Sequence, residues 1–158
     1  MNKQNLIILT VALSSLVLGV SVYLSQRYDF SSVQGDTYQW HALKHKTVVV
    51  NYFAEWCAPC LKEVPELNAF KQWVNTHPNI EFFAVSYDDL PDQELDRIIQ
   101  QYNMKFPVVG DVGVSFPLEK PKYLPATFIL HQGDTSKPLL GEQTLDSLIQ
   151  AVELFTNK

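Results

Sequence analysis

Residues 48–60 read Val48-Val49-Val50-Asn51-Tyr52-Phe53-Ala54-Glu55-Trp56-Cys57-Ala58-Pro59-Cys60. Thr47–Phe53 is an apolar run rich in β-branched residues, the pattern of a strand buried on both faces. From Pro59 to about Val74 the period changes: Leu61, Val64, Leu67, Phe70 and Val74 fall near one face of a predicted helix. Cys57 and Cys60 therefore stand where a buried strand gives way to a helix. A thiol at a helix N-terminus meets the positive end of the dipole and unpaired backbone N–H groups, so its pKa falls. The thiolate is the attacking species in disulfide exchange, and the two-residue spacing puts the second sulfur within reach of the first. Pro59 suits the first helical turn. The order predicts Cys57 as the exposed attacking thiol and Cys60, one turn inside, as the resolving partner.

These are the only cysteines in 158 residues, so the chain is not a small disulfide-stapled scaffold. With all the sulfur in one local pair, a redox role is favoured over a structural one. A zinc site wants four ligands, and His41, His45, His77 and His131 read as surface or turn residues, so no metal is expected. The net charge of −5 comes with no basic stripe, which excludes a nucleic-acid partner. Nine Phe, seven Tyr and three Trp supply a substantial core.

Further along, Ile80–Ser86 reads as a second strand and Pro91–Asn103 as a helix, with Leu95, Ile98, Ile99 and Tyr102 at i, i+3, i+4, i+7. Phe106–Val109 and Ala126–His131 are strand candidates. Pro138–Leu140 can pair back as an edge strand after the Gly133-Asp134 turn. A last helix starts near Thr144, with Leu145, Leu148, Ile149 and Val152 on one face. Alternating strands and helices, then a hairpin and a closing helix, predict an α/β sandwich with a mixed central sheet flanked by helices.

Leu6–Leu24 carries no charge, and as a helix it spans roughly 28 Å at about 1.5 Å per residue, close to the ~30 Å hydrocarbon core. Residues 1–25 read as an uncleaved signal anchor. Cleavage after Gly19-Val20-Ser21 is the alternative, though the apolar run continues past that point. Residues 26–34 are mostly polar and read as a tether, leaving 35–158 as the globular domain. Either reading of the N-terminus exports that domain to an oxidising compartment, most simply a bacterial periplasm.

The stretch Val48–Cys60, followed by Pro65, resembles the thioredoxin superfamily. More narrowly it is similar to the TlpA/ResA/DsbE-like membrane-anchored thiol–disulfide oxidoreductases, with support from the Gly35…Leu43…Lys46 lead-in and from Tyr102–Val108. The resemblance implies a thioredoxin-like fold. It implies that Pro125, in Tyr123-Leu124-Pro125-Ala126, is a cis-proline beside the cysteines, and that the Leu124 backbone pairs with substrate like an added strand. Pro65 matches the proline that kinks the active-site helix. Trp56 is expected to shield the disulfide and offer an apolar docking surface, so Trp56, Leu124 and Pro125 are the candidate substrate-binding residues. The chain departs from ordinary thioredoxin at Asn51, which stands where a titratable aspartate is usual. Glu55, the nearest carboxylate in sequence, is then a candidate for proton transfer, while Glu63 reads as a surface charge. The implied activity is protein-disulfide reduction, for example in cytochrome c maturation, with electrons from a membrane thiol transporter and no cofactor beyond the redox-active pair. An exported copper-binding thiol protein, a disulfide oxidase or isomerase, and a non-catalytic adaptor are the alternatives.

Overall fold

The computed structural model describes residues 2–25 and 28–157. It opens with α1 (Lys3–Ser25), followed by β1 (Phe30–Ser31), β2 (Thr37–Tyr38), a single turn α2 (Trp40–Leu43) and the long strand β3 (Thr47–Phe53). Two helices, α3 (Ala58–Lys62) and α4 (Val64–Val74), lead to β4 (Ile80–Ser86), then α5 (Asp92–Gln101) and β5 (Val108–Val109). The chain closes through β6 (Ala126–His131), β7 (Asp134–Thr135), β8 (Leu139–Leu140) and α6 (Leu145–Thr156).

The main sheet has the order β5-β4-β3-β6-β7, with β8 also pairing β6. β3 runs parallel to β4 and antiparallel to β6, which makes the sheet mixed. All seven residues of β3 are buried, as its near-continuous apolar composition requires of a central strand covered on both faces. Period-2 alternation sends Val49 and Phe53 into one core and Val48, Val50 and Tyr52 into the other. The first core is closed by apolar faces of the helices, through Leu67 and Phe70 of α4, Leu95 and Ile98 of α5 and Leu148 and Val152 of α6. The second is roofed by Phe30, Tyr38 and Trp40, whose rings stack and tilt around Phe83, and by Phe116, which packs on Trp40 and Tyr52.

That roof corrects the expected tether. Residues 26 and 27 lie outside the described residues, but Phe30 is only 3% exposed and β1 pairs with β2. Gln34 bridges to the loop before β5, donating from Nε2 to Phe106 O (2.9 Å) and accepting at Oε1 from Val108 N–H (3.0 Å). Within 28–34, Tyr28, Asp29, Ser31 and Gln34 face solvent while Phe30 and Ser32 are buried, so a mostly polar composition hides an inward-facing side. The globular unit therefore takes in residues ahead of the expected boundary at 35. At the N-terminus α1 is long and apolar enough to cross a membrane, and its described side chains are exposed.

The helix read from Pro59 to Val74 is two helices. Glu63 ends α3 and opens α4, with φ −79° and ψ −7°. Pro65 explains the break, because it has no N–H to give and its ring would strike the Leu61 carbonyl in a continuous helix. α6 starts as a capping box: Thr144 Oγ1 accepts from Ser147 N–H, and Ser147 Oγ accepts from Thr144 N–H.

Candidate active site

Parallel pairing brings the end of β3 level with the end of β4, Phe53 opposite Ser86, and Tyr52 faces Ala126 at the start of β6. The loops that follow β3 and β4 and precede β6 therefore meet at one end of the sheet. They carry Glu55, Trp56 and Cys57; Tyr87 and Asp88; and Leu124 and Pro125.

Cys57 and Cys60 are joined as a disulfide. Cys57 is the N-cap of α3, in extended backbone, and its Sγ accepts the Cys60 N–H at 3.3 Å. A side-chain acceptor at the N-cap satisfies a donor that the helix start would otherwise leave unpaired. The expected exposed thiol is corrected in degree. Cys57 is 5% and Cys60 1% exposed, so both sulfurs are enclosed and only their order holds. Burial here follows from the core: both cysteines belong to the cluster that includes Phe53, Val64 and Leu67, and Leu124 packs against it.

Trp56 stands open to solvent at 67% exposure. Its ring meets Tyr87 edge-on at 6.2 Å, and its Nε1 donates to Asp88 Oδ2 at 2.7 Å. This excludes simple core packing and leaves a rigidly held apolar surface next to Cys57. Across the site, the Leu124–Pro125 peptide bond is cis, as the resemblance implies, and Pro125 is buried while Tyr123 is exposed.

The two carboxylates sit in very different surroundings, and only the surface placement expected of Glu63 is overturned. Glu55 is gripped by Arg97, which donates from Nη1 to Oε1 (3.0 Å) and from Nη2 to Oε2 (2.8 Å). These bonds hold its carboxyl below the usual carboxylate range, which makes it a poor proton acceptor. Glu63 is not a surface charge: it is 2% exposed. Its Oε1 accepts from Asn51 Nδ2 (2.8 Å) and its Oε2 from Gln143 N–H (2.9 Å). Burial pushes the Glu63 carboxyl up to about 7 against the pull of the Gln143 and Asn51 bonds, and the nearby charge of Glu142 adds to the rise. Asn51 Nδ2 also donates to Thr127 Oγ1 (3.0 Å), while Asn51 Oδ1 is buried with no hydrogen-bond partner. A carboxyl poised near neutrality, one helical turn past Cys60, can take and return a proton in the range where thiols react. The helical period could have found it: Cys60, Glu63, Val64 and Leu67 fall at i, i+3, i+4 and i+7, one inward face. Among the described residues no group of three or more His, Cys, Asp or Glu side chains converges as a metal site would.

Known proteins resemble the chain in sequence and in fold. Residues 25–134 match the AhpC/TSA family. The chain is 28% identical over 120 residues to the thiol-disulfide oxidoreductase ResA of a Bacillus cereus strain, covering 75% of this chain and 68% of that protein. ResA of Oceanobacillus iheyensis is 33% identical over 119 residues, covering 73% of this chain and 60% of its own length. Among solved structures, StoA from Bacillus subtilis superposes with a TM-score of 0.64 at 20% identity, covering 81% of this chain and 95% of StoA. The exposed lipoprotein thioredoxin Etrx1 of Streptococcus pneumoniae superposes with a TM-score of 0.66 at 19% identity, covering 80% and 98%. With the paired cysteines at the head of α3 on a mixed α/β sheet, the chain belongs to the AhpC/TSA family and is a thiol–disulfide oxidoreductase of thioredoxin-like fold.

Proposed function

We propose that the protein is an exported, membrane-anchored reductant of client disulfides, with Cys57 as nucleophile and Cys60 as resolving thiol. The carrying observation is the cysteine pair at the N-terminus of α3, with only Ala58 and Pro59 between the two sulfurs. Neither intervening side chain offers a charge or a donor, so the helix terminus alone favours the Cys57 thiolate. A weakly stabilised thiolate leaves the dithiol a good electron donor.

In the reduced protein, the Cys57 thiolate attacks one sulfur of the client disulfide. That bond breaks, and the departing client thiolate takes up a proton. Cys60 then gives its proton to the Glu63 carboxylate and attacks Cys57 Sγ as a thiolate. The bond between Cys57 and the client breaks, the second client thiolate takes up a proton, and the client leaves fully reduced. Two electrons have moved, and Cys57–Cys60 is the disulfide seen here. Trp56, Leu124 and Pro125 frame the docking groove, with the Leu124 backbone pairing to an extended client segment. A dithiol donor in the membrane restores the pair. α1 supports anchoring to the bacterial inner membrane, with the domain on the outer, periplasmic side, where thiols of apocytochrome c are suitable clients.

The test is the reduction potential of the pair, read by equilibrating the protein against glutathione or dithiothreitol buffers. A value near that of thioredoxin, about −270 mV, is expected. A value above about −180 mV, the level of protein disulfide isomerase, recasts the protein as an oxidase or isomerase.

A further inference from the structure

Both oxygens of Glu63 are tied to the Leu124–Pro125 loop, by separate routes. One route leaves Oε1 through Asn51, whose Nδ2 bonds both Glu63 and Thr127, two residues past Pro125. The other leaves Oε2 through the main chain of Gln143. Gln143 belongs to the short turn between β8 and α6. At the other end of that turn the Gly141 N–H donates to the Pro125 carbonyl at 3.0 Å. The turn is braced internally, because Gln143 Nε2 donates to the Gly141 carbonyl (3.0 Å), and externally, because Lys62 pairs with Glu142 (2.7 Å). Gly141 sits at φ +84°, a conformation that a side chain would strain. Residues 141–143 thus hold the buried carboxylate at one end and the docking loop at the other.

We propose that the 141–143 turn is a positioning element of the redox site, which transmits the charge state of Glu63 to the Pro125 carbonyl. The inference rests on Glu63 being the proton-exchanging group of the reaction proposed above. The physical basis is the difference between two hydrogen bonds. An ionised carboxylate accepts a backbone N–H about twice as strongly as a neutral carboxyl does. With Glu63 charged, Gln143 is held and Gly141 stays on Pro125. When Cys60 passes its proton to Glu63, the grip on Gln143 weakens and the Gly141–Pro125 bond loosens with it. This occurs at the stage when the client must depart. Linkage makes the effect reciprocal: a client that pulls on the loop shifts the proton affinity of Glu63.

The charged and titratable groups around Glu63 are few. α3 contributes Lys62 and the cysteine pair, and the turn contributes Glu142. α4 contributes Glu66, whose Oε2 is engaged by Leu145 N–H at 2.8 Å, and α6 contributes Asp146 in its first turn. β3 and β6 present only the uncharged Asn51 and Thr127. Burial raises the proton affinity of Glu63 into the neutral range, which supports a switch that operates under ordinary conditions.

The experiment is a pH titration, from about 5 to 9, of the oxidised full-length chain in detergent micelles by heteronuclear NMR. The probes are the Gln143 and Gly141 amides, the Pro125 carbonyl carbon and the Asn51 side-chain amide. All four should move with one midpoint near neutrality, and Glu63→Gln should abolish all four movements. Glu142→Gln leaves both Glu63 hydrogen bonds in place and removes a charge that opposes ionisation. It should carry the common midpoint of all four probes to lower pH, which keeps the test open if Glu63→Gln does not fold. If Gln143 and Asn51 titrate while Gly141 and Pro125 stay still, the relay is refuted and the proton-exchange role of Glu63 survives. If none of the four titrates, that role falls as well, and the relay with it.

Discussion

Replacing Glu63 by Gln gives the sharpest test of the buried carboxyl. Its proton affinity rises from the ordinary 4.5 to about 7 in the folded protein. At 1.36 kcal/mol per pKa unit this rise corresponds to about 3 kcal/mol of linkage between folding and protonation. The sign follows from which state binds the proton. Between pH 4.5 and about 7 the folded chain keeps the Glu63 proton and the unfolded chain has lost it. Stability from this group is therefore complete below about 4.5 and drains away as pH rises through about 7. A glutamine in its place cannot titrate, so the variant lacks this loss. The amide also turns one acceptor into a donor facing either Asn51 Nδ2 or the Gln143 N–H, a pH-independent cost of about 1–3 kcal/mol. Urea unfolding of the oxidised chain, in matched detergent at pH 5 and pH 8, should find the stability difference moving by roughly 2–3 kcal/mol in favour of the variant at the higher pH, since part of the linkage is already spent by pH 5. Other carboxylates titrate alike in both proteins and cancel. A difference that stays constant between the two pH values would refute the claim that Glu63 changes charge in this window.

Glu55→Gln breaks a bidentate but solvent-exposed pair with Arg97, so the pH profile of Cys57 alkylation should be unchanged. A profile moved by this substitution would return Glu55 to the proton path. Phe30→Ala opens a hole in the aromatic roof around Phe83 and should cost about 3–5 kcal/mol of stability in denaturant unfolding. A neutral result would mean that residues 28–34 are a loose connector after all. Cys60→Ser should trap a Cys57-linked mixed disulfide in the membrane fraction, separable by non-reducing electrophoresis. Cys57→Ser should trap none, and the reverse pattern would exchange the roles of the two sulfurs.

The central strands were legible because their residues obey a single short-range rule. Thr47–Phe53 and Ile80–Ser86 are apolar enough to be covered on both sides, and their observed limits agree with the reading. The helix break at Glu63 was not legible from periodicity, since Val64, Leu67 and Phe70 continue the apolar face across it while Pro65 breaks the backbone. Glu63 itself was misplaced because a charged residue is seldom buried, and its partner Gln143 is eighty residues away. The Glu55–Arg97 pair is equally invisible in one dimension, with the partners 42 positions apart. Phe30 was hidden among serines and a glutamine. A two-residue strand has no period to detect, and only the assembled ring cluster shows why the segment folds.

The burial of Phe30 also sets the length of a leash. Five Cα steps separate Ser25, the last residue of α1, from Phe30. Fully extended, such a segment reaches at most about 18 Å. A folded body of roughly 125 residues has a radius of gyration of about 14 Å, so the leash is shorter than the body is wide. Anchored in a bilayer through α1, the domain could not tumble freely or travel to its clients. It would patrol a thin layer next to the lipid, and a polypeptide emerging from the membrane would meet Cys57 and Trp56 long before one diffusing in from a distance.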